Sequence, residues 1–102
     1  MGRVHLDQVH QEFDTLYGGA RAMHLPDAEK FFSGMARYAR FLRNQLQSGQ
    51  GIGESDWNRL STGIEMAGLC ERDSSRCLRY CGREFLLLLD DMDRRMSKEN
   101  PA

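Results

Sequence analysis

The stretch Phe85-Leu86-Leu87-Leu88-Leu89 decides how this chain folds, because five consecutive apolar side chains cannot all face one side of a helix. An arginine-rich segment precedes the stretch and an acidic segment follows it. A chain of 102 residues can cover one face of such a helix with its own core. We therefore expect the remaining leucines to contact a second molecule.

Apolar spacing earlier in the chain predicts two further helices. Apolar residues recur at intervals of three and four across residues 6–23, which predicts a first helix that bends or ends at the glycine pair Gly18 and Gly19. Proline is well suited to a first helical turn, so a second helix is predicted from Pro26 to about Gln47. The first half of the chain is therefore expected to be a pair of helices.

A glycine-rich linker at about 48–54 is predicted to separate two helical halves. Ser55 then has the character of a helix N-cap. We favour two helices, 56–71 and 74–97, over one helix of about 40 residues, because the polar segment 71–75 is a plausible stop. The fold class predicted is an all-α bundle of three to four helices, and we expect the bundle to be dimeric.

Composition limits the classes of protein to which the chain can belong. Hydrophobic residues make up 40% and charged residues 28%, with only two prolines, which is typical of a single globular helical domain over residues 1–102. Fourteen basic and fifteen acidic residues give a net charge of −1, so we expect no direct nucleic-acid binding. No apolar run approaches the roughly 18 residues of a membrane span, and the first residues lack a signal peptide's apolar segment. We expect no membrane contact and a cytoplasmic location.

The chain carries no motif for catalysis. Neither a Ser-His-Asp order, a glycine-rich phosphate loop nor a His-Glu-x-x-His motif is present, so we predict no catalytic residue, no enzymatic activity and no cofactor. Cys70, Cys77 and Cys81 fall on one helical face, and we interpret them as small buried apolar residues. The alternative is a thiolate metal site, which loosely resembles four-helix proteins that store copper on inward-facing cysteines. The short Cys-x-x-Cys unit of zinc sites is absent, and we expect no metal.

An electrostatic stripe is predicted opposite the cysteines. Its members, spaced four, three and four residues apart, are Arg72, Arg76, Arg79 and Arg83. Guanidinium groups in a row can contact phosphates or an acidic protein surface, and the simpler interpretation is the solvated face of an amphipathic helix. With a balanced net charge, we expect the stripe to orient a protein partner and not to bind DNA.

The apolar excess is the best indication of function. Leu86 lies about a third of a turn from the inward face of its helix and Leu87 close to the opposite side. Exposed leucine and tyrosine beside arginine is the composition of a protein interface, and six methionines favour an adaptable one. Self-association and binding of a different protein fit this surface equally well. The residues predicted for it are Tyr38, Phe41, Met66, Tyr80, Leu86, Leu87, Met92 and Met96.

As a profile running from Val4-His5-Leu6 through Phe85 to Met96, the chain resembles the small antiactivators that bind LuxR-type quorum-sensing regulators. The resemblance implies a helical, often dimeric protein that binds a transcription activator and prevents it from acting as a DNA-binding dimer. It assigns a role to no individual residue. A small helical chaperone or a secretion-related partner protein is the alternative function.

Overall fold

The computed structural model of the chain describes residues 6–72 and 82–99, with side chains over 6–68 and 83–97. Both ranges are almost entirely helical and contain no strand, which confirms the predicted all-α fold. The four helices are α1 (Leu6–Ala22), α2 (Pro26–Gln47), α3 (Glu54–Arg72) and α4 (Gly82–Glu99).

α1 and α2 are joined by a tight turn. α1 continues through Gly18 and Gly19, so the prediction that it ends at this pair is wrong. A left-handed residue, His24 with φ of 58°, reverses the chain, and the Leu25 N–H donates to the Ala20 carbonyl at 3.0 Å. Pro26 then occupies the first turn of α2, as predicted, because its missing N–H is not needed there.

α2 is the central helix, and the other three pack against it. It is buried along most of its length because apolar residues occupy most of its sides. Aromatic rings make the principal contacts: Phe31 of α2 stacks on Phe85 of α4 with ring centroids 4.3 Å apart, and Phe32 lies 6.1 Å from Phe13 of α1. The first residue of the apolar stretch therefore holds α4 against the core.

α3 and α4 lie side by side. Arg59 Nε donates to Asp91 Oδ2 at 2.8 Å, although residues 32 positions apart on one helix would be separated by about 48 Å. The described residues on either side of the polar segment therefore belong to separate helices, as favoured from the sequence, and the predicted start at residue 74 lies outside the described residues. The prediction for Ser55 is wrong, since α3 begins at Glu54 and Gly53 precedes it.

Candidate functional site

The outer face of α4 carries two exposed leucines. Leu86 is 46% exposed and Leu87 62% exposed, whereas Phe85 and Met92 on the same helix are fully buried. We call Leu86 and Leu87 the leucine surface. The apolar stretch is thus divided between core and solvent, as expected for five consecutive residues on a helix with neighbours on one side only.

A groove between α3 and α4 shares Leu87 with this surface. Its apolar floor comprises Met66 of α3 together with Leu87 and Leu88 of α4. Its rim is charged, with three carboxylates and one guanidinium, from Glu84, Asp90, Asp91 and Arg94. An apolar floor with a charged rim is the usual composition of a protein-binding site, and we refer to it as the α3–α4 groove.

A buried polar cluster fixes α3 and α4 relative to α2. It comprises Tyr38, Asp56, Arg59 and Arg95, and Asp56 at its centre is only 3% exposed. The Tyr38 hydroxyl and Arg59 Nη1 both donate to Asp56 Oδ1, the latter at 2.9 Å. Arg95 donates to both oxygens of the same carboxylate, at 3.1 and 3.3 Å. Three helices therefore share one satisfied carboxylate.

The cluster also reaches the groove and the α2–α3 loop. Arg59 bonds Asp91 on the groove rim and donates to the Tyr38 oxygen at 3.1 Å. The Gly53 N–H donates to Asp56 Oδ2 at 3.4 Å. Asp56, the third residue of α3, therefore provides a hydrogen-bond acceptor for the backbone N–H that immediately precedes the helix. The position of the groove wall is thus set by groups inside the bundle.

Electrostatics in the cluster favour charged Asp56 and neutral Tyr38. Burial acts to raise the pKa of Asp56, but hydrogen bonds from Tyr38 and Arg95 outweigh it and hold that pKa below its ordinary value. Burial and the bond to Asp56 raise the pKa of Tyr38 well above its ordinary value. Burial acts to lower the pKa of Arg59, but bonds to Asp91 and Tyr38 outweigh it and raise the pKa. Charges inside the bundle are therefore balanced by partners.

The structure removes two residues from the predicted surface. Tyr38 and Met92 are fully buried and belong to the core of a single chain. Phe41 is half-buried, with its ring stacked on Tyr38 at 6.2 Å and Arg95 over its face at 5.2 Å. Met66 and Met96 are also half-buried against the core. The sequence predicted Tyr38 for the surface, but neighbouring helices cover its side chain.

Some of the residues predicted from the sequence lie outside the part of the chain that the structure describes. These are Arg76, Arg79, Tyr80, Cys77 and Cys81, together with the side chains of Cys70 and Arg72. Arg83, the last member of the electrostatic stripe, is exposed on the first turn of α4.

A second apolar groove, between α1 and α3, was missed from the sequence. Its walls include Phe13 and Leu16 of α1 and Ile64 of α3, and Ile64 is about half exposed. A periodic pattern shows which residues share a face but not how closely the neighbouring helix approaches them.

The described residues provide no metal site and no helix suited to a membrane. None of their His, Cys, Asp and Glu side chains form a group of three able to hold a metal ion. His10 bonds the Ala36 carbonyl at 2.8 Å and so links α1 to α2. No described helix is both long and apolar enough to cross a bilayer.

Comparison with known proteins adds no relative: no protein-family model, curated protein or solved structure matches the chain.

Proposed function

We propose that the protein is a non-catalytic binding protein that sequesters a transcription activator, in the manner of the antiactivators of LuxR-type regulators that the sequence resembles. The observation that carries the proposal is the leucine surface, in which Leu86 and Leu87 remain exposed on a helix whose other face is fully packed. Such a protein would act in the cytoplasm, where its target binds DNA.

The proposed mechanism is mass action. The antiactivator binds an activator subunit through an apolar surface, and each subunit held in this way is lost from the active DNA-binding dimer. Full burial of a leucine side chain is worth roughly 1.5–3 kcal/mol, so two half-exposed leucines supply a useful part of a binding free energy. The charged rim of the α3–α4 groove would set orientation and association rate.

Titration of a purified LuxR-type activator on its promoter DNA tests this proposal. In a gel-shift assay the wild-type protein is expected to release the activator from DNA, and size-exclusion chromatography is expected to show a complex of the two proteins. Leu87→Asp should lose both effects, because it places a charge in the middle of the contact.

Met23→Asp is the matched control. Met23 is 60% exposed, nearly the same as Leu87, but lies in the turn after α1 and does not line the groove. The control variant should release the activator like the wild type. An activator that stays on DNA at saturating protein, with no complex on the column, would contradict the proposal.

A further inference from the structure

We propose that the α3–α4 groove binds a basic amphipathic helix of the partner protein. This inference rests on the proposed function as a binding protein and adds the chemistry of the partner segment.

The length of the groove along α4 fits a short helix. Its lining residues on α4 extend from Glu84 to Arg94, which corresponds to about 15 Å or three turns. The space between two adjacent helices accepts the side-chain ridge of a third helix. Met66, Leu87 and Leu88 form an apolar floor for anchors at positions i, i+3 or i+4, and i+7 of that helix.

The rim selects a basic helix. Three carboxylates and one guanidinium line the groove. Asp90 is bonded to Arg94 at 2.5 Å and Asp91 to Arg59 at 2.8 Å. Glu84 has no ion-pair partner among the described residues. Lysine or arginine beside the apolar anchors would pair with the Glu84 carboxylate, the one rim charge left without a partner among the described residues, whereas an acidic helix would be repelled.

A second copy of the chain is the main competing occupant. The exposed face of α2 carries Lys30, Arg37 and Arg40, which could supply the same charge from another protomer. That face offers no exposed apolar anchors beside these cations, because the apolar residues of α2 up to Leu42 face the core. The groove floor would then remain uncovered, so the partner helix is the better fit.

Two labelled synthetic peptides test the inference by fluorescence anisotropy. Both place leucines at i, i+3 and i+7; one carries lysines beside them and the other glutamates. The lysine peptide is expected to bind at least about tenfold more tightly than the glutamate peptide. Its affinity should fall several-fold between about 50 and about 300 mM salt.

Groove variants locate the binding site. Leu87→Ser should lose the lysine peptide and Glu84→Lys should weaken it, while Met23→Ser, changed at an equally exposed position, should leave it unaltered. Equal binding of both peptides would overturn the charge argument, and binding of neither would overturn the helix as occupant. Light scattering that finds a dimer in the wild type and a monomer in Leu87→Ser, with no binding of the lysine peptide to the wild type, would assign the groove to a second copy.

The two proposals can fail separately. Failure of the peptides with continued release of the activator from DNA would remove only the basic-helix inference. Binding of the lysine peptide without release of the activator would remove the proposed function and leave the character of the groove established.

Discussion

The buried polar cluster and the leucine surface depart from ordinary burial in opposite ways. Asp56 is a charge inside the bundle, and Leu87 is an apolar side chain in water. The carboxylate has partners on three helices, whereas the leucine side chain remains 62% exposed. A buried charge whose hydrogen bonds are all made within the fold helps to hold the helices together. An apolar side chain that the fold leaves exposed indicates contact with another molecule. The following variants test this distinction by stability and by association.

The largest effect is expected from Asp56→Asn. Removal of the central charge leaves Arg95 and Arg59 with a poorer partner inside the bundle, and a broken buried pair costs about 3–5 kcal/mol. Urea unfolding followed by circular dichroism measures the change. Asp7→Asn is the matched control, since Asp7 forms an exposed pair with Arg43 and its loss should cost less than about 1 kcal/mol. Similar losses in both variants would contradict a special role for the cluster.

A smaller loss is expected from Tyr38→Phe. The ring still fills its site, but Asp56 loses one donor while keeping those of Arg59 and Arg95. Loss of a buried bond to a charged group should cost about 1–3 kcal/mol in the same unfolding assay. Tyr17→Phe is the comparison, because Tyr17 is half-buried outside the cluster. An unchanged free energy of unfolding in Tyr38→Phe would mean that the hydroxyl contributes nothing.

Alkaline pH should weaken the cluster gradually. The pKa of Tyr38 is raised in the folded state, so the stabilisation is complete below the unfolded pKa of about 10 and is lost as the pH rises above it. The unfolded chain then releases a proton that the folded chain retains. The free energy of unfolding is expected to fall by up to about 1.4 kcal/mol per pH unit. Urea unfolding curves recorded between pH 8 and about 11 measure this change. Tyr38→Phe should flatten this dependence, and an equal slope in both proteins would exclude Tyr38 as its source.

The smallest effect on stability is expected from Leu87→Asp. An exposed position away from the core should change the free energy of unfolding by less than about 0.5 kcal/mol. If the homodimer expected from the sequence uses the leucine surface, the variant should be a monomer, as size-exclusion chromatography with light scattering would reveal. A folded variant with unchanged mass would show that self-association does not use the leucine surface. An unfolded variant would show that Leu87 belongs to the core.

Local patterns were sufficient for the helices and for the leucine surface. Pro26 and the three- and four-residue spacing predicted α2 correctly, and five consecutive apolar residues required some of them to stay outside the core. These predictions depend on neighbours along one helix. They needed no knowledge of how the helices meet.

The polar cluster depended on information that local patterns lack. Tyr38, Asp56 and Arg95 lie on three helices, so their meeting follows from the packing angles of the bundle. Arg95 lies near the end of α4, where a cation is favourable in any fold, so its type and position do not indicate a buried partner. The one available signal was the position of Tyr38 on the apolar side of α2, which indicated that its hydroxyl would need a buried partner.

The short turn between α1 and α2 has a consequence for the order of folding. Only residues 23–25 separate these helices, so closing them costs little chain entropy, whereas the bond between Asp56 and Arg95 joins positions 39 apart. We expect the α1–α2 hairpin to form before the transition state and α4 to dock after it. Stopped-flow kinetics should then find that Asp56→Asn speeds unfolding and leaves the folding rate nearly unchanged. The bond between Asp56 and Arg95, which links α3 to α4 in the folded bundle, would thus be among the last contacts to form.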